Sequence, residues 1–167
     1  MEINNFSDKY KVKMLNETDL DNIYALCKGN PMYYEYCPPD VTKENILEDM
    51  FALPPGKETE DKFYIGFFDS HELIAVMDIV DGYPEKGIAF IGFFMTASKV
   101  QNKGVGSEIV SGVLKCLKGE GYRAARLAWV TENPQARKFW LKNKFVPICE
   151  TKSNAAERVT LAQRELL

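Results

Sequence analysis

Apolar residues recur along this chain in two rhythms, and the rhythm changes at glycines and prolines. In Tyr10–Leu15 apolar and charged residues alternate, which predicts a first strand. Asn16-Glu17-Thr18-Asp19 then supplies helix-start chemistry, and Leu20, Ile23, Tyr24 and Cys27 follow at helical spacing. Gly29-Asn30-Pro31 reads as the stop of that helix. A second short helix is expected after Thr42, with Ile46, Leu47, Met50 and Phe51 on one face and Pro54-Pro55-Gly56 as its end. The charged stretch from Lys57 to Lys62 reads as loop. Phe63–Phe68 and Leu73–Val80 read as a hairpin through Asp69-Ser70-His71-Glu72. A longer turn leads into Ile88–Thr96, which is apolar on both faces and so belongs at the centre of a sheet.

The second half of the chain changes rhythm. Val105, Ile109, Val110, Val113, Leu114 and Leu117 form a helical stripe that ends at Gly119-Glu120-Gly121. Arg123–Val130 returns as a strand, and a strand–helix–strand unit of this length predicts a parallel pair. Asn133-Pro134 opens another helix, because Asn caps well and Pro suits the first helical position. Its expected buried face is Ala136, Phe139 and Trp140. Phe145–Cys149 is a short strand, and Arg158–Leu167 fits either strand or helix.

Composition narrows the function classes. A chain of 167 residues is expected to form one domain over 1–167. A net charge of −3 gives no general attraction to nucleic acid or to anionic membranes. No apolar run approaches the ~18 residues of a membrane helix, and the polar start Met1-Glu2-Ile3-Asn4-Asn5 is unlike a signal peptide, so a cytoplasmic protein is expected. Cys27, Cys37, Cys116 and Cys149 form no C-x-x-C pair, which predicts free thiols. His71, the only histidine, lies in the hairpin turn, so a histidine-based zinc motif is impossible and no metal is expected.

One stretch carries chemistry. Gln101-Asn102-Lys103-Gly104-Val105-Gly106-Ser107 joins the apolar strand to the amphipathic helix. Glycines let the backbone approach a ligand, and the helix offers unpaired N–H groups with the positive end of its dipole, a combination suited to phosphate. The chain lacks the P-loop run G-x-x-x-x-G-K-[ST], and Ile109 stands where a dinucleotide fingerprint needs its third glycine. The pattern Q/R-x-x-G-x-G/A fits.

With that pattern the chain resembles the GNAT family of N-acetyltransferases. A second motif agrees, N-x-x-A-x-x-[FLI]-Y-x-x-x-G-F, matched by Asn133, Ala136, Phe139, Trp140 and Phe145. The resemblance implies an α/β (α+β) domain with a mixed, mostly antiparallel sheet of six to seven strands and about four helices. It implies acetyl-CoA as donor, with Gln101, Asn102, Lys103, Gly104, Val105, Gly106 and Ser107 about its pyrophosphate. Phe94, Met95 and Thr96 would border the pantetheine arm, and the N–H near Met95 or Thr96 would polarise the thioester carbonyl. Asn133, Ala136, Phe139 and Trp140 would line the arm's other side. The acceptor implied is a primary amine of a small molecule or peptide, attacked directly in a ternary complex, and a homodimer is compatible with the family.

The chain departs from the family at three positions. Trp140 replaces the tyrosine that protonates the departing thiolate, and an indole N–H does not give up a proton near pH 7. Lys144 replaces the glycine before Phe145, at a cost of roughly 1 kcal/mol if that position needs positive φ, unless Asn143 takes the turn. Phe90 stands nearest the place of a family glutamate base. The remaining base or acid candidates are Asp78, Asp81, Tyr83 and Glu85, with ordered water as a relay. Tyr33, Tyr34 and Glu35, after the first helix, are candidates for an acceptor pocket. The Trp140 departure keeps a second reading open, a CoA-binding module without transferase activity. A nucleotide-phosphate binder would rest on the glycine turn alone.

Overall fold

The computed structural model describes residues 1–154 and 156–167. Seven strands form one sheet in the order β1-β2-β3-β4-β5-β7-β6. They are β1 (Lys11–Met14), β2 (Lys62–Asp69), β3 (Glu72–Asp81), β4 (Ile88–Thr96), β5 (Ala124–Val130), β6 (Val146–Thr151) and β7 (Val159–Glu165). The helices are α1 (Leu20–Lys28), α2 (Pro31–Tyr36), α3 (Lys43–Phe51), α4 (Val105–Gly119) and α5 (Pro134–Lys142). The doubly apolar strand β4 lies at the centre, as its pattern requires. It pairs antiparallel with β3 and parallel with β5, the sheet's one parallel ladder among the described residues.

Each face of the sheet has its own core. On one face, Ile65, Met77, Ile79 and Ile91 pack against Ile109, Val110, Val113 and Leu117 of α4, with Trp140 and Phe145 at one side. On the other, Tyr64, Val76 and Met95 meet Ile23, Leu26 and Cys27 of α1 and Ile46 and Met50 of α3. Burying each large aliphatic side chain contributes about 1.5–3 kcal/mol. Side-chain alternation along β2, β3 and β4 is what divides these residues between the two layers. No helix among the described residues is long and apolar enough to cross a membrane.

The structure corrects several sequence expectations. Pro31 starts α2 as well as following α1: it occupies the first turn, where its missing N–H costs nothing. The helix count among the described residues is therefore five. The charged stretch before β2 holds a 3-10 turn, Thr59–Asp61, with a reciprocal Glu58–Asp61 capping box, and Lys62 already belongs to β2. The C-terminal segment is a strand, because Val159–Glu165 is sandwiched between β5 and β6. The turn before Phe145 falls on Lys144, at φ +63, while Asn143 keeps φ −84. All four cysteines are free thiols, two of them partly buried, Cys27 buried and Cys149 exposed.

The N-terminal segment docks on α4 through a close backbone approach. A Cβ on Gly112 would stand 2.3 Å from the Phe6 carbonyl oxygen, and Phe6 is fully buried. Gly112→Ala should therefore lose about 1–3 kcal/mol by overpacking, although alanine favours the helix by about 1 kcal/mol. Urea unfolding midpoints test this, and a stabilised variant would show the docking to be wrong. Lys144→Gly should gain about 1 kcal/mol in the same assay by relieving the left-handed backbone; a loss would show that the lysine's conformation is unstrained.

Candidate active site

β4 and β5 are hydrogen-bonded neighbours only at one end. Ile88–Ile91 pair with Ala124–Leu127, and beyond them the strands part. β5 continues against β7 as far as Val130, while β4 continues against β3 as far as Thr96. From Gly92 onward one edge of β4 therefore has no strand beside it. Ala97 donates its N–H to the Ile74 carbonyl at 2.8 Å. Since neighbouring residues of a strand turn their backbone groups to opposite sides, Met95 faces β3, and Phe94 and Thr96 face the open edge. Of the two N–H groups named for the oxyanion role, the one on the open side is that of Thr96.

The open edge leads into the glycine turn. Asn102 (φ +59) and Gly104 (φ +84) are both left-handed, and a Cβ on Gly104 would meet nothing within 4 Å. Gly106 is small for another reason: a Cβ there would stand 3.1 Å from the Phe139 ring and 3.6 Å from the Thr96 methyl. No side chain caps α4. Its first intrahelical bond runs from Glu108 N–H to the Gly104 carbonyl, so the Val105, Gly106 and Ser107 amides are left for a ligand. Lys103 is exposed beside them.

Gln101 points away from this cradle. Its Nε2 donates to Asn30 Oδ1 (2.5 Å) and to the Thr96 carbonyl (3.1 Å), and Asn30 Nδ2 donates to the same carbonyl (3.1 Å) and to Leu26 O (3.0 Å). The two amides clamp the end of α1, the end of β4 and the turn together. Asn143 makes a matching tie, from its Nδ2 to Ser107 Oγ (3.1 Å) and to Phe139 O (2.9 Å), while its backbone carbonyl accepts from Arg164 (3.0 Å). Sequence reading missed Asn30 and Asn143 as structural ties, because their partners lie far away in the chain.

Asn133 is 4% exposed, and its Oδ1 caps α5 by accepting from Ala136 N–H at 3.1 Å. Its Nδ2 makes no hydrogen bond among the described residues. The face predicted as buried is only partly so: Trp140 is buried, whereas Ala136 and Phe139 remain half-open toward the parted strands. Phe94 of β4 stacks on Phe139 (centroids 5.8 Å apart) and lies 6.0 Å from Trp140, which meets Phe145 edge to face at 5.2 Å. Trp140 is thus a core residue of an aromatic cluster that bridges β4 and α5.

The four base or acid candidates separate. Tyr83 packs on Phe90, Glu85 pairs with Arg123 at 2.8 Å, and Asp81 accepts from the Tyr122 hydroxyl at 2.7 Å. These three lie at the end of β3 and in the turn before β4, at the opposite end from the glycines. Asp78 lies mid-sheet, in register with Tyr64 on one side and Phe93 on the other. It is 9% exposed, and its Oδ2 is 3.2 Å from Lys62 Nζ, itself fixed by the Asp49 and Ala52 carbonyls at 2.6 Å each. Asp78 Oδ1 has no hydrogen-bond partner among the described residues. Burial pushes this carboxyl up to about 6, with the Lys62 ammonium opposing the rise. A bulge in β4 at this point sets Gly92 opposite it.

On the same face Tyr33 of α2 meets Phe93 edge to face at 5.7 Å and Tyr34 at 5.0 Å. Burial raises both hydroxyls above their ordinary range, so both are neutral donors at pH 7. Glu35 is exposed. An apolar hollow of about 360 Å³, lined by Leu15, Met50, Phe51, Lys62 and Tyr64 among others, opens on this face and includes no residue of the glycine turn.

Comparison with known proteins places this geometry. Residues 19–145 match the model of the acetyltransferase (GNAT) family. An acetyltransferase from Thermus thermophilus superposes with a TM-score of 0.77 at 18% identity, covering 95% of this chain and 97% of its own. PaiA N-acetyltransferase from Thermoplasma acidophilum, solved in complex with coenzyme A, gives 0.68 at 15% identity over 93% and 98%. The ribosomal-protein-S18-alanine N-acetyltransferase from Escherichia coli gives 0.67 at 11% identity over 94% of each chain. A comparison with curated proteins found no match. With its family match spanning three-quarters of its length, the chain belongs to the GNAT acetyltransferase family.

Proposed function

We propose that the protein transfers an acetyl group from acetyl-CoA to a primary amine by direct attack in a ternary complex. The observation that carries this reading is the open edge of β4 running into uncapped amides at the start of α4. Thr96 lies four residue steps beyond Gly92, roughly 13 Å of strand at 3.3 Å per residue, a length on the scale of an extended pantetheine arm. The Phe94 and Thr96 backbone groups suit the arm's amides as a neighbouring strand would. Val105, Gly106 and Ser107 N–H groups, with Lys103 beside them, suit a pyrophosphate. Asn133 Nδ2 is a further donor from the α5 side.

Acetyl-CoA supplies an activated acyl group, and the chain's part is to hold it and to manage charge and protons. The Phe94 N–H, which lies on the open edge between Gly92 and Thr96, stabilises the charge that develops on the thioester oxygen. Tyr33, Tyr34 and Phe93 offer an aromatic wall on the α2 side for the amine's carbon frame. Trp140, packed among Phe94, Phe139 and Phe145, donates no proton, so the leaving thiolate takes its proton from elsewhere. The rival reading, a CoA-binding module, shares the donor site and differs only in turnover.

Calorimetry should detect acetyl-CoA binding in the micromolar range, and Gly104→Val should weaken it at least about tenfold, the equivalent of 1.4 kcal/mol, by straining a left-handed residue and crowding the cradle. Unchanged affinity would remove the turn from the site. Thiol release from acetyl-CoA across a panel of primary amines, including peptide N-termini, tests the transferase directly; silence across the panel would favour the module. Trp140→Tyr should leave turnover within about threefold if the thiolate needs no acid from α5, and a gain of about 100-fold would identify position 140 as a lost acid.

A further inference from the structure

A carboxylate in the middle of a sheet is costly, since burial disfavours its charged form. Asp78 is such a carboxylate, and its surroundings hold it ready rather than neutralise it. Lys62 Nζ reaches only Oδ2, at 3.2 Å, and is itself fixed by two α3-end carbonyls. Oδ1 lacks any hydrogen-bond partner among the described residues. The charge is therefore half-satisfied, which keeps the group basic.

The opposing strand leaves a way in. At the β4 bulge, Gly92 and Phe93 both stand against Asp78. A Cβ on Gly92 would come within 2.8 Å of Asp78 Oδ2, so any other residue would cover the carboxylate. Gly92 is exposed although it sits in the central strand of seven. Here, too, β4 loses β5. The carboxylate thus lies beneath the first residue of the open edge, and its side chain keeps 13% exposure.

We infer that Asp78 is the general base of acetyl transfer, reached by the acceptor amine over Gly92, and that Lys62 is the residue that positions it. The inference rests on the acetyl-transfer reading above. The acceptor arrives as an ammonium ion, and Asp78 Oδ2 accepts one of its protons as attack begins. The amine nitrogen then forms the C–N bond while the C–S bond breaks. The nitrogen's second proton passes to the departing thiolate, giving CoA thiol, and Asp78 releases its own to water. This route needs no acid at position 140. It also selects a cationic acceptor, since a buried carboxylate attracts an ammonium group.

The charged and titratable groups facing Asp78 are Lys62 and Tyr64 on β2 and Asp49 on α3; β4 contributes only Gly92 and Phe93. Lys62 lowers the carboxyl's pKa, and burial and Asp49 raise it, to about 6. Below that value Asp78 is neutral and cannot take a proton. So kcat/KM of the unmutated protein for the amine, which reports the free protein's carboxyl, should fall about tenfold per pH unit below pH 6 and level off above it, and a flat profile from pH 5 to 8 overturns the assignment. Asp78→Asn should lower kcat by about 100-fold or more, abolish the plateau so that the residual rate climbs steadily with pH, and leave calorimetric acetyl-CoA affinity unchanged. Near-normal kcat in that variant, with the wild-type profile, refutes Asp78 while leaving the transferase reading intact. Lys62→Gln should shift the kcat/KM limb to higher pH, and an unmoved limb removes Lys62 from the positioning role. A protein that binds acetyl-CoA yet acetylates no amine overturns the transferase reading and the base together.

Discussion

β4 and β5 hydrogen-bond over four residues and then separate, and a backbone edge in the middle of a sheet must find other partners. The rest of the site follows from how this chain meets that demand. At Thr96 the carbonyl is taken by two side-chain amides, Asn30 and Gln101. Phe94 and Thr96 keep N–H groups on the open side, in reach of a ligand able to pair like a strand. Aromatic rings join β4 to α5 beside the gap. The glycine turn lies where it does because it is the continuation of the open strand, so anion cradle and strand edge form one continuous surface.

The bulge at Gly92 also sets how the side chains of β4 divide between the two faces of the sheet. Phe94 belongs to the α4–α5 side, where the uncapped helix start and Asn133 lie. Phe93 and Met95 belong to the α1–α3 side, with Tyr33, Tyr34 and the Lys62–Asp78 pair. One strand therefore presents unpaired backbone groups along its edge and opposite faces to two separate cores. Period-two alternation alone would put residues 92 and 93 on different sides; the inserted residue puts both against Asp78.

Much of this was legible in sequence because it depends on local spacing. The stripe from Val105 to Leu117, the doubly apolar β4 and the capping pair Asn133-Pro134 each imply their element without reference to the rest of the chain. The parallel pair of β4 and β5 followed from the length of the connection between them. What stayed hidden depends on distant partners. Gln101 matched a ligand-binding motif, but its amide is turned onto Asn30, 71 positions away. Pro31 carried a stop signal that is equally a start signal, and only docking of Tyr33 on Phe93 distinguishes the two. Gly92 is one residue of an apolar run in the sequence, and only the β3 register sets a carboxylate against it.

The Lys62–Asp78 pair is hard to explain as a stabilising device. Desolvating two charges costs several kcal/mol per ion, and well-packed apolar residues of similar volume commonly do as well or better. Here the compensation is incomplete, since Asp78 Oδ1 has no partner among the described residues and burial has already raised the carboxyl to about 6. That side of the sheet is otherwise filled by Tyr64, Val76 and Met95, so the chain readily supplies apolar residues at neighbouring positions. Where one position breaks a local rule without a packing benefit, strain of this kind belongs with function. The exposed bulge glycine above Asp78 points the same way: it weakens a central strand and leaves a buried charge accessible, two costs that make sense together only if something must reach the carboxylate.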